Sequence, residues 1–136
     1  MALFNWKDEY SVNVLAMDNH HKKLFDILNK LHEAAKAGTG EEVVTKEISE
    51  LIDYTRYHFG EEEKMLERVN YSALDSQKRS HVNFVNKMVE YQEEAASGMA
   101  IFVVPKVTKT GIDWLKEHIL VMDQKYTATV NAAGIN

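Results

Sequence analysis

Residues 58–62 read His58-Phe59-Gly60-Glu61-Glu62. They lie inside a long stretch of helical apolar spacing, and on a helix positions i and i+4 share a face. His58 and Glu62 therefore project toward one point. An imidazole and a carboxylate that converge inside a bundle can hold a transition metal. Taken alone the pattern H-x-x-x-E is weak, and the plainer reading is a partly buried histidine beside a solvated acidic run, Glu61 to Glu63. The rest of the chain has to outweigh that reading.

The chain is 136 residues long, which is one domain's worth and enough to bury a core without staples. It has no cysteine, which excludes disulfides, thiolate metal sites and a cysteine nucleophile. A net charge of −5 argues against a nucleic-acid binder, which would carry a basic stripe. No apolar run approaches the roughly 20 residues of a membrane span. The N-terminus, Met1 to Tyr10, lacks a basic region followed by an apolar one, so no secretory signal is read and a cytoplasmic location is the expectation. One proline and six glycines leave little turn chemistry for an all-β fold.

Around the opening pair the chain resolves into four helical patterns. Residues 1–17 read as an extended arm bearing Phe4, Trp6, Tyr10, Val12 and Val14, with Asp18 or Asn19 placed to cap the next element. A first helix is expected over about 19–37, carrying Leu24, Ile27, Leu28, Leu31 and Ala35 and ended by Gly38-Thr39-Gly40. A second spans about 41–66, and its stripe from Val44 through Ile48, Leu51, Ile52, Thr55 and Phe59 to Met65 passes through His58 and Glu62. After the turn Asn70-Tyr71-Ser72 a third runs over about 73–96, with His81, Phe84, Val85 and Met88 inward. Ser97-Gly98 breaks it, and residues 99–104 read as a connector or lead-in. Pro105 suits a first helical turn, so the fourth helix is placed at about 105–130 with a tail at 131–136. Gly111 lies inside that helix at a cost of roughly 1 kcal/mol relative to alanine, which a close helix–helix approach would explain. The expected fold is all-α: one domain over 1–136, an up-down-up-down antiparallel four-helix bundle (18–130) with an N-terminal extended arm.

In such a bundle the start of helix one lies level with the end of helix two, the start of helix three and the end of helix four. His21, His58, His81 and His118 occupy those four places and share one layer. Glu62 and Asp123 join them. Asp123 follows His118 by five residues, a step of about 140° on a regular helix, so a local widening of the helix is needed to bring it round. Four imidazoles and two carboxylates suit two carboxylate-bridged irons or manganeses, whereas a single zinc needs only three or four of these groups. No Lys or Arg falls on the inner stripes at that level, and an uncompensated buried charge costs on the order of several kcal/mol, so a metal is the expected compensation.

The set of residues resembles the hemerythrin family, in its single-domain bacterial form, over essentially the whole chain. The resemblance rests on Trp6, Asp18-Asn19-His20-His21 with Leu24-Phe25, His58-Phe59, Glu61-Glu62 with Met65, Tyr71, His81 with Phe84, and Trp114-Leu115, His118-Ile119, Asp123 and Tyr126. It implies two iron ions with a bridging oxo or hydroxo group, and O2 as ligand. His21 and His58 would hold the iron with the open position, His81 and His118 the other, and Glu62 and Asp123 would bridge. Trp114, Leu115 and Ile119 would form the apolar wall beside bound O2. The chain departs from the family pattern at Gln77, where a histidine four residues before His81 is usual, and at His20, where glutamine is usual. Gln77 ligates through its carbonyl, or gives way to water, or leaves that iron weakly held.

The function expected is that of a non-heme di-iron O2-binding protein, used for storage, delivery or sensing, with no catalytic residue assigned and no general acid or base evident at the pocket wall. The alternative is a di-iron redox enzyme, peroxidase-like, nitric-oxide-consuming or iron-oxidising, favoured by Gln77. A partner-binding bundle that has lost its metal is the third reading. The small ligand is O2 or another diatomic or peroxide, with neither nucleic acid nor membrane as partner and a monomer as the default state. His32 reads as a surface or capping residue, and the acidic cluster Glu90, Glu93, Glu94 as a solvated face.

Overall fold

A computed structural model of the chain describes residues 3–136, so Met1 and Ala2 of the expected arm lie outside the described residues. The described part is helical and, among these residues, contains no strand. After a single 3-10 turn at Asp8–Tyr10 come α1 (Leu15–Lys36), α2 (Glu41–Arg68), α3 (Leu74–Glu94) and α4 (Ala100–Glu117). A widened turn at His118–Met122 and a 3-10 turn at Asp123–Tyr126 lead into the short α5 (Thr127–Ala132). Helix α1 packs on α2, α2 on α3 and α3 on α4, and α4 returns against α1 to close an antiparallel four-helix bundle. Among the described residues no helix is long and apolar enough to cross a membrane.

The breaks follow local backbone chemistry. Gly38, at φ 69°, ends α1 in the left-handed region that glycine enters without steric cost. Asn70, at φ 54°, does the same for α2, and the Tyr71 N–H then bonds back to the Leu66 carbonyl at 3.0 Å. Gly98, at φ 93°, kinks the chain between α3 and α4.

Helix α4 begins at Ala100, five residues before the start that Pro105 indicates. Ala100, Val103, Val104, Val107 and Leu115 are all buried at helical spacing, and that burial outweighs the one backbone donor the proline lacks. The tail is tied back to the bundle. Asn131 Nδ2 donates to the Asn13 and Ile135 carbonyls at 3.0 and 2.7 Å, and Ile135 packs on the core.

The arm ends at Val14 and is held by side chains of α1. Phe4 stacks on Phe25 with ring centroids 3.8 Å apart, and its backbone exchanges two 2.8 Å hydrogen bonds with the Asn29 amide. Asp18, a capping candidate by sequence, sits inside the helix instead. Its carboxylate accepts from the Val12 N–H at 2.8 Å and the Ser11 hydroxyl at 2.6 Å. Replacing Asp18 with alanine leaves the buried Val12 N–H without a partner and is expected to cost roughly 2–3 kcal/mol in chemical denaturation.

At Gly111 α4 comes close to α1. A Cβ built there would meet Leu28 Cδ2 at 2.9 Å, so the fully buried Leu28 side chain would have to shift. The close approach expected from sequence is therefore present. Gly111→Val is expected to lower unfolding stability by about 2–3 kcal/mol, because overpacking exceeds the helix propensity gained.

Candidate metal centre

The bundle brings His21 from α1, His58 and Glu62 from α2, Gln77 and His81 from α3, and His118 and Asp123 from the turns that follow α4 into one buried layer. Glu62 and Asp123 are fully inaccessible to solvent. The widening required between His118 and Asp123 is present: over His118–Met122 the helix takes π form, and the Asp123 N–H reaches back to the carbonyls of both His118 and Ile119. The extra residue in that turn rotates Asp123 onto the same face as His118.

The two carboxylates divide their oxygens between two sets of imidazoles. Glu62 Oε2 lies 3.7 Å from the Nε2 atoms of both His21 and His58. Its other oxygen, Oε1, lies 3.0 Å from His81 Nε2. Asp123 Oδ2 is 3.4 Å from His21 Nε2, while Oδ1 is 3.1 Å from His118 Nε2. Two three-residue groups result, His21–His58–Glu62 and Glu62–His81–His118, and Glu62 belongs to both.

These inward atoms approach one another without hydrogen bonding. The Nε2 atoms of His21, His81 and His118, together with Glu62 Oε1, Asp123 Oδ2 and Gln77 Oε1, are buried and lack a hydrogen-bond partner. Buried polar atoms in that state are costly unless something satisfies them, and nitrogen and carboxylate lone pairs aimed at a common centre are satisfied by cations. The donor set fits two transition-metal ions with nitrogen and oxygen ligands.

The titration pattern has the same origin. Burial works to lower the His21 pKa, but contact with Asp123 and Glu62 outweighs it and raises the pKa to about 9. Burial drives His58 down to about 3 against the opposing charge of Glu62. Burial likewise pushes both carboxylates up, and the surrounding imidazoles hold Glu62 well below the usual range and Asp123 below it.

Outer contacts orient the rings. His81 Nδ1 pairs with Glu63 Oε2 at 2.7 Å, and His118 Nδ1 with the Ser80 hydroxyl at 3.2 Å. His58 Nδ1 lies 2.9 Å from His20 Nδ1. The Tyr126 hydroxyl donates to Glu62 Oε2 at 2.8 Å, and Gln77 Nε2 donates to Asp123 Oδ1 at 2.9 Å. Phe59 stacks on His81 at 3.8 Å and 4°, and Trp114 on His118 at 4.4 Å and 11°.

Leu115 near the end of α4 and Ile119 in the widened turn that follows are both buried. Trp114 also stacks on Phe84 and meets Phe59 edge-on, so its ring belongs to the His81–His118 side of the layer. Sequence reasoning misses the roles of Glu63, Ser80 and Phe59. It groups Glu63 with a solvated acidic run, and the available signal is that a metal-facing His81 needs an acceptor at its other nitrogen.

The model of the hemerythrin HHE cation binding domain matches residues 13–130. The chain belongs to the hemerythrin family. It is 34% identical over 133 residues to a bacteriohemerythrin of Methylococcus capsulatus, covering 97% of this chain and 100% of the relative. To a bacteriohemerythrin of Clostridium acetobutylicum it is 33% identical over 130 residues, covering 91% and 98%. A crystal structure of wild-type hemerythrin superimposes with a TM-score of 0.85 at 31% identity, covering 95% of this chain and 98% of that one. Within a hemerythrin frame the buried His–carboxylate layer is the place where a cation would be held.

Proposed function

We propose that this hemerythrin-family chain is a non-heme di-iron protein that binds O2 reversibly. One iron would be held by His21, His58 and Glu62, and the other by Glu62, His81 and His118. Asp123 would span the two, and Gln77 would stand beside the second. The observation that carries this reading is the division of each carboxylate's oxygens between two imidazole sets, which one ion would not require.

Iron bound there would supply the electrons that O2 takes up on binding and gives back on release. The protein's part is to fix the donors and keep the centre dry. Tyr126 holds Glu62 by one oxygen, and Gln77 holds Asp123. Glu63 and Ser80 fix the ring orientations of His81 and His118, and Phe59 and Trp114 cover those rings. Leu115 and Ile119, both buried and apolar, are assigned to the wall that excludes water from the ligand.

The test is an optical cycle on iron-loaded protein. The spectrum is recorded without oxygen, after admitting air, and after removing oxygen again. A visible band that appears with air and disappears on deoxygenation is expected. A band that bleaches within the mixing time and never returns would favour the redox-enzyme reading.

A further inference from the structure

The two halves of the layer differ in what supports them from outside. His81 leans on a carboxylate and His118 on a hydroxyl. On the other half His21 Nδ1 is buried without a hydrogen-bond partner, so the contact between His58 and His20 is, among the described residues, the one outer hydrogen bond to a ring of that half. His20 is half-buried, and its ring packs against Tyr54, Tyr57 and His58 with centroids 6.0, 5.4 and 5.1 Å away.

We propose that His20 is a positioning residue for the His21–His58 half, accepting the Nδ1 proton of His58 and fixing that ring as a metal donor. The proposal rests on the di-iron reading given above. A neutral imidazole has one N–H and one lone pair. His58 directs Nε2 at Glu62, so a cation there needs the Nε2 lone pair and the proton must sit on Nδ1. The atom waiting 2.9 Å from that nitrogen is His20 Nδ1, which must then accept and carry its own proton on Nε2. The reverse arrangement, with His20 donating to His58 Nδ1, puts a proton on His58 Nε2 and blocks ligation. An outer acceptor of this kind selects the tautomer, holds the ring plane and makes the ligand more electron-donating. Glutamine could do the same through its amide oxygen, whereas an aliphatic side chain could not.

Metal uptake is to be measured for the wild type, His20→Gln and His20→Leu by anaerobic titration with Fe2+. A second measurement uses nitrogen-15-labelled histidine in the Zn2+-loaded wild type, where a shared N–H···N bond gives through-bond coupling between two ring nitrogens. Two equivalents are expected in the wild type and in His20→Gln. In His20→Leu one of the two should weaken roughly 10–100-fold while the other is unchanged. Coupling between the Nδ1 atoms of His20 and His58 is expected in the Zn2+ form. Two equivalents bound equally tightly by wild type and His20→Leu would overturn the proposal alone, as would absence of that coupling. Fewer than two equivalents in the wild type would overturn the di-iron reading and this proposal with it.

Discussion

Replacing Glu62 with alanine is expected to cost the chain both irons, whereas replacing His58 with alanine should cost only one. Glu62 is fully buried and belongs to both donor groups, with Oε2 facing His21 and His58 and Oε1 facing His81. No other side chain in the layer carries two oxygens so placed except Asp123, whose Oδ1 also receives the Gln77 amide. Losing Glu62 removes one of the two carboxylates that face each imidazole set and leaves Asp123 alone to span them, so affinity at each site should fall by more than about a hundredfold, or roughly 2.8 kcal/mol. Thermal stability should follow. A ligand present at a thousand times its dissociation constant stabilises the fold by about 4 kcal/mol per site, and Glu62→Ala should lose that increment at both. Melting curves with and without iron check this: iron should raise the wild-type transition strongly, His58→Ala by less, and Glu62→Ala scarcely at all.

The second large effect is expected at Gln77, one helical turn before His81 on α3 and almost fully buried. Its Nε2 donates to Asp123 Oδ1 at 2.9 Å. A carboxylate only accepts, so the amide orientation is fixed by chemistry, and Oε1 remains buried without a hydrogen-bond partner. A cation in the His81–His118 half would satisfy that oxygen. Four variants separate ligation from simple support of Asp123. Gln77→His should tighten the second iron by restoring an imidazole. Gln77→Glu should retain that iron if the position ligates through oxygen, because the same atom is present and now charged. If Gln77 acts only as a hydrogen-bond donor to Asp123, Gln77→Glu places two carboxylates together and should lose the second iron. Gln77→Leu should weaken it roughly 10–100-fold, and Gln77→Ala similarly. Iron titrations of the four proteins give the answer, with the His21–His58 site as an internal reference.

Much of this arrangement is legible in the chain because helical periodicity is a strong signal. The apolar stripe of α2 runs through His58 and Glu62, and that spacing alone puts both on the inward face. Antiparallel topology then levels His21, His81 and His118 with them. Even the five-residue step from His118 to Asp123 calls for a helix defect, and the π turn at His118–Met122 supplies it.

Other features are set by contacts between helices, which periodicity does not encode. Glu63 and Ser80 reach His81 and His118 because of the rotations of α2, α3 and α4 about their axes. Asp18 has the residue type of a helix cap, and its neighbours supply no cue that the arm folds back onto it. Pro105 has the residue type of a helix start, and the burial of the apolar residues before it prevails over that local preference.

The most direct test of the two-metal centre is iron per chain, measured by elemental analysis after anaerobic loading and removal of excess metal. Two irons are expected in the wild type and none retained in Glu62→Ala. A wild-type chain that holds one iron or none would contradict the two-metal centre, because the division of the Glu62 and Asp123 oxygens would then serve something other than a pair of metals.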